Sequence, residues 1–283
     1  MQNIFERENV DVAWCPGCGN FGILKLIKEV LEDLAVPKQQ IVMVSGIGQA
    51  AKTPYYVDTN MFGGLHGRAL PVATAIKAAN PELTVIAEGG DGDMYGEGGN
   101  HFLHTIRRNP DIIHIVHNNM VYGLTKGQAS PTSQQGFITK VQVSGVSNEP
   151  FNPLGVALSL KAGFVSRVNI GNYAHAKEVV KAAFIHRGYA LVDIFQPCVT
   201  FNKINTYQWF KENTYILDDT YDHTDFDKAI KKAFETMPMP LGIIYQDKEH
   251  HATFEEHLRG KDTRPLYQTQ HDLSKIQELF NGY

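Results

Sequence analysis

Apolar and polar positions along this chain alternate between two periods. A helical spacing of apolar residues runs through FGILKLIKEVLEDL and predicts a helix over 21–34, and the run IVMVS predicts a strand over 41–45. The same reading predicts helices over 70–79 and 98–108, with strands over 83–87 and 112–117. Helices over 153–162 and 175–187 then alternate with strands over 164–168 and 189–195. Helix and strand in strict alternation predict an α/β fold, a mostly parallel sheet with helices on both faces. The segment 127–152 breaks the rhythm. It is rich in Gln, Ser, Gly and Thr and too long for a routine connection, so it is expected to be a structured functional loop. Beyond 202 the chain turns aromatic and polar, then offers a helix over 226–234, a strand over 241–245 and a last helix over 273–280. The expected organisation is a main domain over 1–205 and a C-terminal extension over 206–283, packing on the domain or on a partner.

Composition narrows the classes. The chain has 283 residues, 43% hydrophobic and 20% charged, which suits one large α/β domain or two small ones. A formal net charge of −4 leaves no basic footprint, so no nucleic-acid partner is expected. No apolar run approaches the ~20 residues that cross a bilayer. The N-terminus, MQNIFERENVDV, lacks the basic start and apolar stretch of a secretion signal, so a cytoplasmic location is expected. Three cysteines, two of them in Cys15-Pro-Gly-Cys18, suit metal or redox chemistry better than a disulfide framework.

The segment with most chemistry is EGGDGDMYGEGGNHF. It sets Gly90, Asp91, Gly92 and Asp93 at the carboxyl end of the strand over 83–87, the edge where open α/β sheets bind ligands. Glycine lets backbone approach an anionic diphosphate, and an aspartate among glycines can hold the magnesium that neutralises it. The next strand ends in Asn118-Asn119. Asn119 and the carbonyl of Val121 would add two more hard oxygens, leaving an octahedral ion room for phosphate and water. The plainer alternative is that Asp91 and Asp93 cap a helix and the asparagines only turn the chain.

Gly-Asp-Gly, a spacer and a pair of asparagines resemble the thiamine-diphosphate-binding fold. Four further stretches narrow the resemblance to the β subunits of 2-oxoacid:ferredoxin oxidoreductases of the pyruvate or 2-oxoglutarate type. They are WCPGCGNFGIL, GLHGRALPVATAIKAANP, YGLTKGQASPTS and QPCVTFNKINT, in the family's order from about Trp14 to about Asn205. The resemblance implies magnesium on Asp91, Asn119 and the Val121 carbonyl. It implies a cofactor pocket of Ile47, Gly48, Gln49, His66, Gly90, Gly92, Asp93, Tyr122, Gly123, Leu124 and Thr125. His66 then contacts cofactor or substrate; the alternative is an ordinary structural histidine. The implied reaction is oxidative decarboxylation of a 2-oxo acid to the acyl-coenzyme A, or its reverse, with electrons passed to ferredoxin. The carboxylate that activates the thiamine ring comes, in such enzymes, from a separate α subunit.

Cys15, Cys18 and Cys198 match three of the family's ligands to a [4Fe–4S] cluster, and the fourth is absent: Gly46-Ile47-Gly48-Gln49 stands where the family has Gly-Ile-Gly-Cys. A cluster on three thiolates and another ligand, a labile cluster, a three-cysteine zinc site and free thiols all remain open. Lys52 follows Gln49 by three residues. The resemblance implies a substrate-pocket cation there that favours 2-oxoglutarate over pyruvate; the alternative is an ordinary surface lysine. Two other functions compete: a non-oxidative thiamine-dependent decarboxylase subunit, and a non-catalytic module stabilised by zinc.

Overall fold

The computed structural model describes residues 3–249, 251–260, 262–269 and 274–282. Its strands are β1 (Ile41–Ser45), β2 (Asn60–Gly63), β3 (Thr84–Gly90), β4 (Ile113–Asn118), β5 (Phe164–Asn169), β6 (Ala190–Phe195), β7 (Thr214–Ile216) and β8 (Met239–Gln246). They form one sheet in the order β2-β1-β3-β4-β6-β5-β8-β7. The run from β2 to β5 is parallel, whereas β8 lies antiparallel to β5 and β7 parallel to β8. The helices are α1 (Asn20–Asp33), α2 (Ala69–Ala79), α3 (Gly99–Arg108), α4 (Pro153–Ser159), α5 (Tyr173–Ile185), α6 (Tyr207–Asn213), α7 (Phe226–Ala233), α8 (Phe254–Arg259) and α9 (Ser274–Asn281).

Both faces of the sheet are buried, which is why its central strands read as near-continuous apolar runs. Along β3, Ile86 joins the core formed with α1 and α5, while Val85 and Ala87 join the core formed with α2, α3, α4 and α7. The apolar stripe of α1 supplies Ile23, Ile27, Val30 and Leu31 to the first core, all fully buried. Asn109, in the left-handed conformation at φ 51°, ends α3, and its Oδ1 accepts the Tyr189 N–H at 2.9 Å just before β6.

The expected α/β alternation holds, with additions that periodicity did not signal. The helix expected from 98 starts earlier, as a turn of π-helix over Gly92–Glu97. Strand β2 was not anticipated, because it is an edge strand with Asn60, Phe62 and Gly63 exposed. Neither were α6 and α8, which are short and are set by local caps: Thr206 accepts the Trp209 N–H, and Thr253 with Glu256 forms a capping box. The segment 127–152 carries no helix or regular strand. It closes on itself through Gly136 N–H to the Val146 carbonyl (2.8 Å) and Val146 N–H to the Phe137 carbonyl (3.0 Å). Residues after 205 supply β7 and β8, so the sheet runs through the expected boundary. The start of the last expected helix, at 273, lies outside the described residues.

Candidate active site

β1, β3, β4 and β6 are consecutive in the sheet and parallel, so their carboxyl ends open side by side on one edge. β3 ends at Gly90 and delivers Asp91, which is 1% exposed. Its Oδ2 accepts hydroxyl hydrogen bonds from Ser130 (2.5 Å) and Thr132 (2.6 Å), and its Oδ1 faces the Asn119 N–H at 3.5 Å. Burial pushes the Asp91 carboxyl up to about 6, although the two hydroxyls and the Asn119 amide pull the other way. A carboxylate left this poorly compensated is the state a bound cation would relieve. Gly92 follows for a steric reason: a Cβ there would sit 2.2 Å from the Tyr122 ring.

β4 ends at Asn118, and Met120 then adopts φ 57°, a left-handed conformation that costs a residue with a side chain about 1 kcal/mol or more. This kink brings Asn119 and Val121 to the same cavity as Asp91. Asn119 Oδ1 accepts the Val121 N–H at 3.0 Å, and the Val121 carbonyl accepts no hydrogen bond among the described residues.

Asp93 holds the other wall. It is 4% exposed, and its Oδ1 accepts the Gly67 N–H at 2.9 Å and the Ile47 N–H at 3.3 Å, with His66 Nδ1 at 3.6 Å. Burial raises its carboxyl despite those donors. One buried side chain thus ties the β1 end to the His66–Gly67 turn, leaving His66 largely exposed at the cavity. Glu97 completes a trio: among the described residues, only His66, Asp93 and Glu97 bring three such donor atoms within 4.8 Å of one another.

Cys15 and Cys18 precede α1 and Cys198 follows β6, yet all three line this cavity with Gln49. Burial pushes the Cys18 thiol up to about 11, assisted by the Cys198 and Cys15 sulfurs and opposed by the Asn20 N–H. Gln49 Oε1 is buried with no hydrogen-bond partner, while its carbonyl accepts the Trp14 Nε1–H at 2.8 Å.

The structure therefore gathers Asp91, Asn119, Val121, the cysteine trio, Ile47, Gly48, Gln49, His66, Gly90, Gly92, Asp93, Tyr122, Gly123, Leu124 and Thr125 around one cavity of about 110 Å³. Lys52 is not among its lining residues. It is half-buried in the 3₁₀ turn Ala50–Tyr56, and its ammonium has no ion pair or hydrogen bond among the described residues. Sequence reasoning missed Ser130 and Thr132 as partners of Asp91, and Trp14 and Glu97 as wall residues. Ser130 and Thr132 lie within the ASPTS stretch, so the motif was visible but its use was not.

Residues 40–194 match the family model described as thiamine pyrophosphate enzyme, C-terminal TPP binding domain. Residues 198–262 match the model for the C-terminal part of the pyruvate ferredoxin oxidoreductase beta chain. The 2-oxoacid:ferredoxin oxidoreductase subunit beta of Sulfolobus sp is 42% identical over 271 residues, 90% of this chain and 87% of that protein. This chain belongs to the β-subunit family of the 2-oxoacid:ferredoxin oxidoreductases. The 2-oxoglutarate oxidoreductase subunit KorB of Mycobacterium tuberculosis is 45% identical over 192 residues, 68% of this β subunit and 52% of that protein. A solved structure of 2-oxoglutarate:ferredoxin oxidoreductase from Magnetococcus marinus, with 2-oxoglutarate, coenzyme A and succinyl-CoA bound, superposes with a TM-score of 0.91. It is 34% identical and covers 99% of this β subunit and 97% of its own chain. The first matched segment runs from β1 to β6, the strands whose ends carry Asp91 and Asn119, and the second begins at Cys198. No helix among the described residues is long and apolar enough to cross a membrane.

Proposed function

We propose that this β subunit binds thiamine diphosphate through magnesium and catalyses, with an α subunit, the oxidative decarboxylation of a 2-oxo acid to its acyl-coenzyme A, or the reverse. The observation that carries the proposal is the buried, poorly compensated Asp91 carboxylate meeting Asn119 and the free Val121 carbonyl at adjacent strand ends. Three oxygens from one side suit an octahedral ion that keeps phosphate and water on its other positions. When bound, thiamine diphosphate supplies the carbon nucleophile and the electron sink for loss of CO₂. The chain's own part is positioning. Gly92 lets the Tyr122 ring pack against the backbone beside Asp91, Ser130 and Thr132 orient Asp91, and Asp93 fixes His66 and the Ile47 loop against the pocket.

A cavity of about 110 Å³ is well below the ~300 Å³ at which cofactor-sized pockets begin. This β subunit therefore presents half a site, and the rest of the cradle, with the activating carboxylate, comes from the α subunit. A cytoplasmic location belongs to the same proposal.

Cys15, Cys18 and Cys198 line one cavity with Gln49, an arrangement that supports a cluster on three thiolates, with zinc as the alternative. Gln49 Oε1, buried and unpartnered in the same cavity, stands in for the missing thiolate. Such a cluster would accept the two electrons one at a time and pass them to ferredoxin. The test is anaerobic co-purification with the α subunit, with thiamine, magnesium, iron and zinc measured on one sample. Thiamine diphosphate with magnesium and about four irons per β subunit is expected. Absence of thiamine diphosphate would refute the catalytic reading, and zinc at the cysteines would refute the cluster alone.

A further inference from the structure

A second cavity, of about 490 Å³, opens at the carboxyl edge of the sheet behind the magnesium-site loop. The two cavities share a wall: Asn119 and Val121 line the first, Asn118 and Met120 the second. Of the residues given a part in the thiamine and magnesium site, Thr132 alone also lines the second cavity, and its hydroxyl is turned to Asp91.

Its centre of chemistry is Arg167 on β5, 6% exposed. Arg167 lies in register with Asp193 of β6; its Nε donates to Asp193 Oδ2 at 2.9 Å, and its guanidinium carbon sits 4.7 Å from the centre of the Phe195 ring. Asp193 is not spent on the arginine alone, since Tyr95 donates its hydroxyl and Asn118 its amide to the same carboxylate. Nη1 and Nη2 of Arg167 donate no hydrogen bond to any described residue, although they are not sealed off as buried orphans. Guanidinium carries five N–H donors in a flat fork, so the end that matches a carboxylate with two parallel bonds remains unused.

Around that fork several other polar groups are already committed. Asn118 Oδ1 accepts from Thr132, Gln134 accepts from Asn205, Gln135 donates to the Ser147 carbonyl, and Asn152 is bonded to the Ala233 carbonyl and the Gly155 N–H. Glu235 is held by Lys232 and Tyr215, and Glu149 stands exposed at the rim. Met120, Phe151, Phe195, Trp209 and Met239 supply apolar wall. A volume between about 300 and 1,000 Å³, apolar walls and one concentrated donor group are the attributes of a small-molecule site.

We infer that this cavity is a second ligand site, distinct from the thiamine site, which takes a small carboxylic acid with an apolar body. The carboxylate accepts from Nη1 and Nη2 of Arg167, and the body lies against the methionines and aromatic rings. The site does not depend on the reading of the cysteine trio.

The probe is 3-phenylpropanoate, titrated calorimetrically into the α/β complex with magnesium and thiamine diphosphate saturating, and compared with 3-phenylpropanol. The acid should bind, and the alcohol at least tenfold more weakly. Arg167→Lys keeps a cation against Asp193 but removes the fork, and it should weaken the acid at least tenfold. Thr236→Trp, at an exposed position on the cavity's edge, fills the mouth without touching Arg167 and should do the same while thiamine content is unchanged. No binding to the parent complex overturns the inference. So does equal binding of acid and alcohol, or undiminished binding to Thr236→Trp.

Discussion

Replacing Asp91 with asparagine separates what this side chain costs the fold from what it does for the cofactor. Burial raises the folded-state carboxyl from 3.8 to about 6. At 1.36 kcal/mol per unit, the ionised form costs the metal-free protein about 3 kcal/mol at pH 7.5. The sign follows from proton binding. The folded state holds the proton more tightly than the unfolded chain, so metal-free protein loses stability as pH rises from 3.8 to 6, and the full loss is present above that. Asparagine carries no charge and escapes it. Ser130 and Thr132 can still donate to the amide oxygen, but Nδ2 then faces the Asn119 N–H across the 3.5 Å gap, donor against donor, at about 1 kcal/mol. The stripped Asp91→Asn complex should therefore be about 2 kcal/mol more stable than the parent at pH 7.5, roughly 4–8 °C in Tm. The charge-driven part of that advantage should be roughly halved at pH 5. Magnesium with thiamine diphosphate should raise the Tm of the parent and leave the variant unmoved. Thermal denaturation of the chelator-treated α/β complex at both pH values, with and without cofactor, reads all three effects. A variant less stable than the parent without metal, or one that gains the same Tm on adding cofactor, would refute the account.

Three further outcomes follow from other residues. If the cysteine trio holds the proposed cluster, Gln49→Cys should supply a fourth thiolate, lowering the cluster's reduction potential and slowing iron loss in air; anaerobic redox titration and EPR read both, and an unchanged potential would remove Gln49 from the cluster's surroundings. Lys52→Thr should raise KM for 2-oxoglutarate several-fold and spare pyruvate if the unpaired ammonium meets a distal carboxylate once the α subunit seals the site; unchanged selectivity would return Lys52 to the ordinary surface. His114, buried between the Phe102 and Tyr189 rings, is held down to about 3 by burial, so the unfolded chain takes up its proton first. Stability should fall by about 1.4 kcal/mol per pH unit below 6.5 on this account; Asp91 acts in the opposite sense, so the measurement is the difference in slope between parent and His114→Phe, and equal slopes would contradict it.

The central elements were legible in the sequence because a sheet buried on both faces demands continuous apolar strands, and amphipathic helices such as α1 must show one apolar stripe. The placing of Asp91 and Asn119 at strand ends was legible because each follows such a strand directly. Local chemistry also set the caps of α6 and α8, but their brevity hid them from any periodicity. The sequence by itself thus determined which residue types stand at the strand ends, with Gln49 where the resemblance led us to expect a cysteine. Only the tertiary structure decided what meets there. The sheet order sets β1, β3, β4 and β6 side by side, so Asp93 reaches Ile47 and Gly67, and Cys198 joins Cys15 and Cys18 from the other end of the chain. It also sets Arg167 beside Asp193 with two nitrogens unspent, a fact of register between β5 and β6. Hydrogen-bond partners and burial depend on distances between remote segments, and no spacing along the chain encodes those.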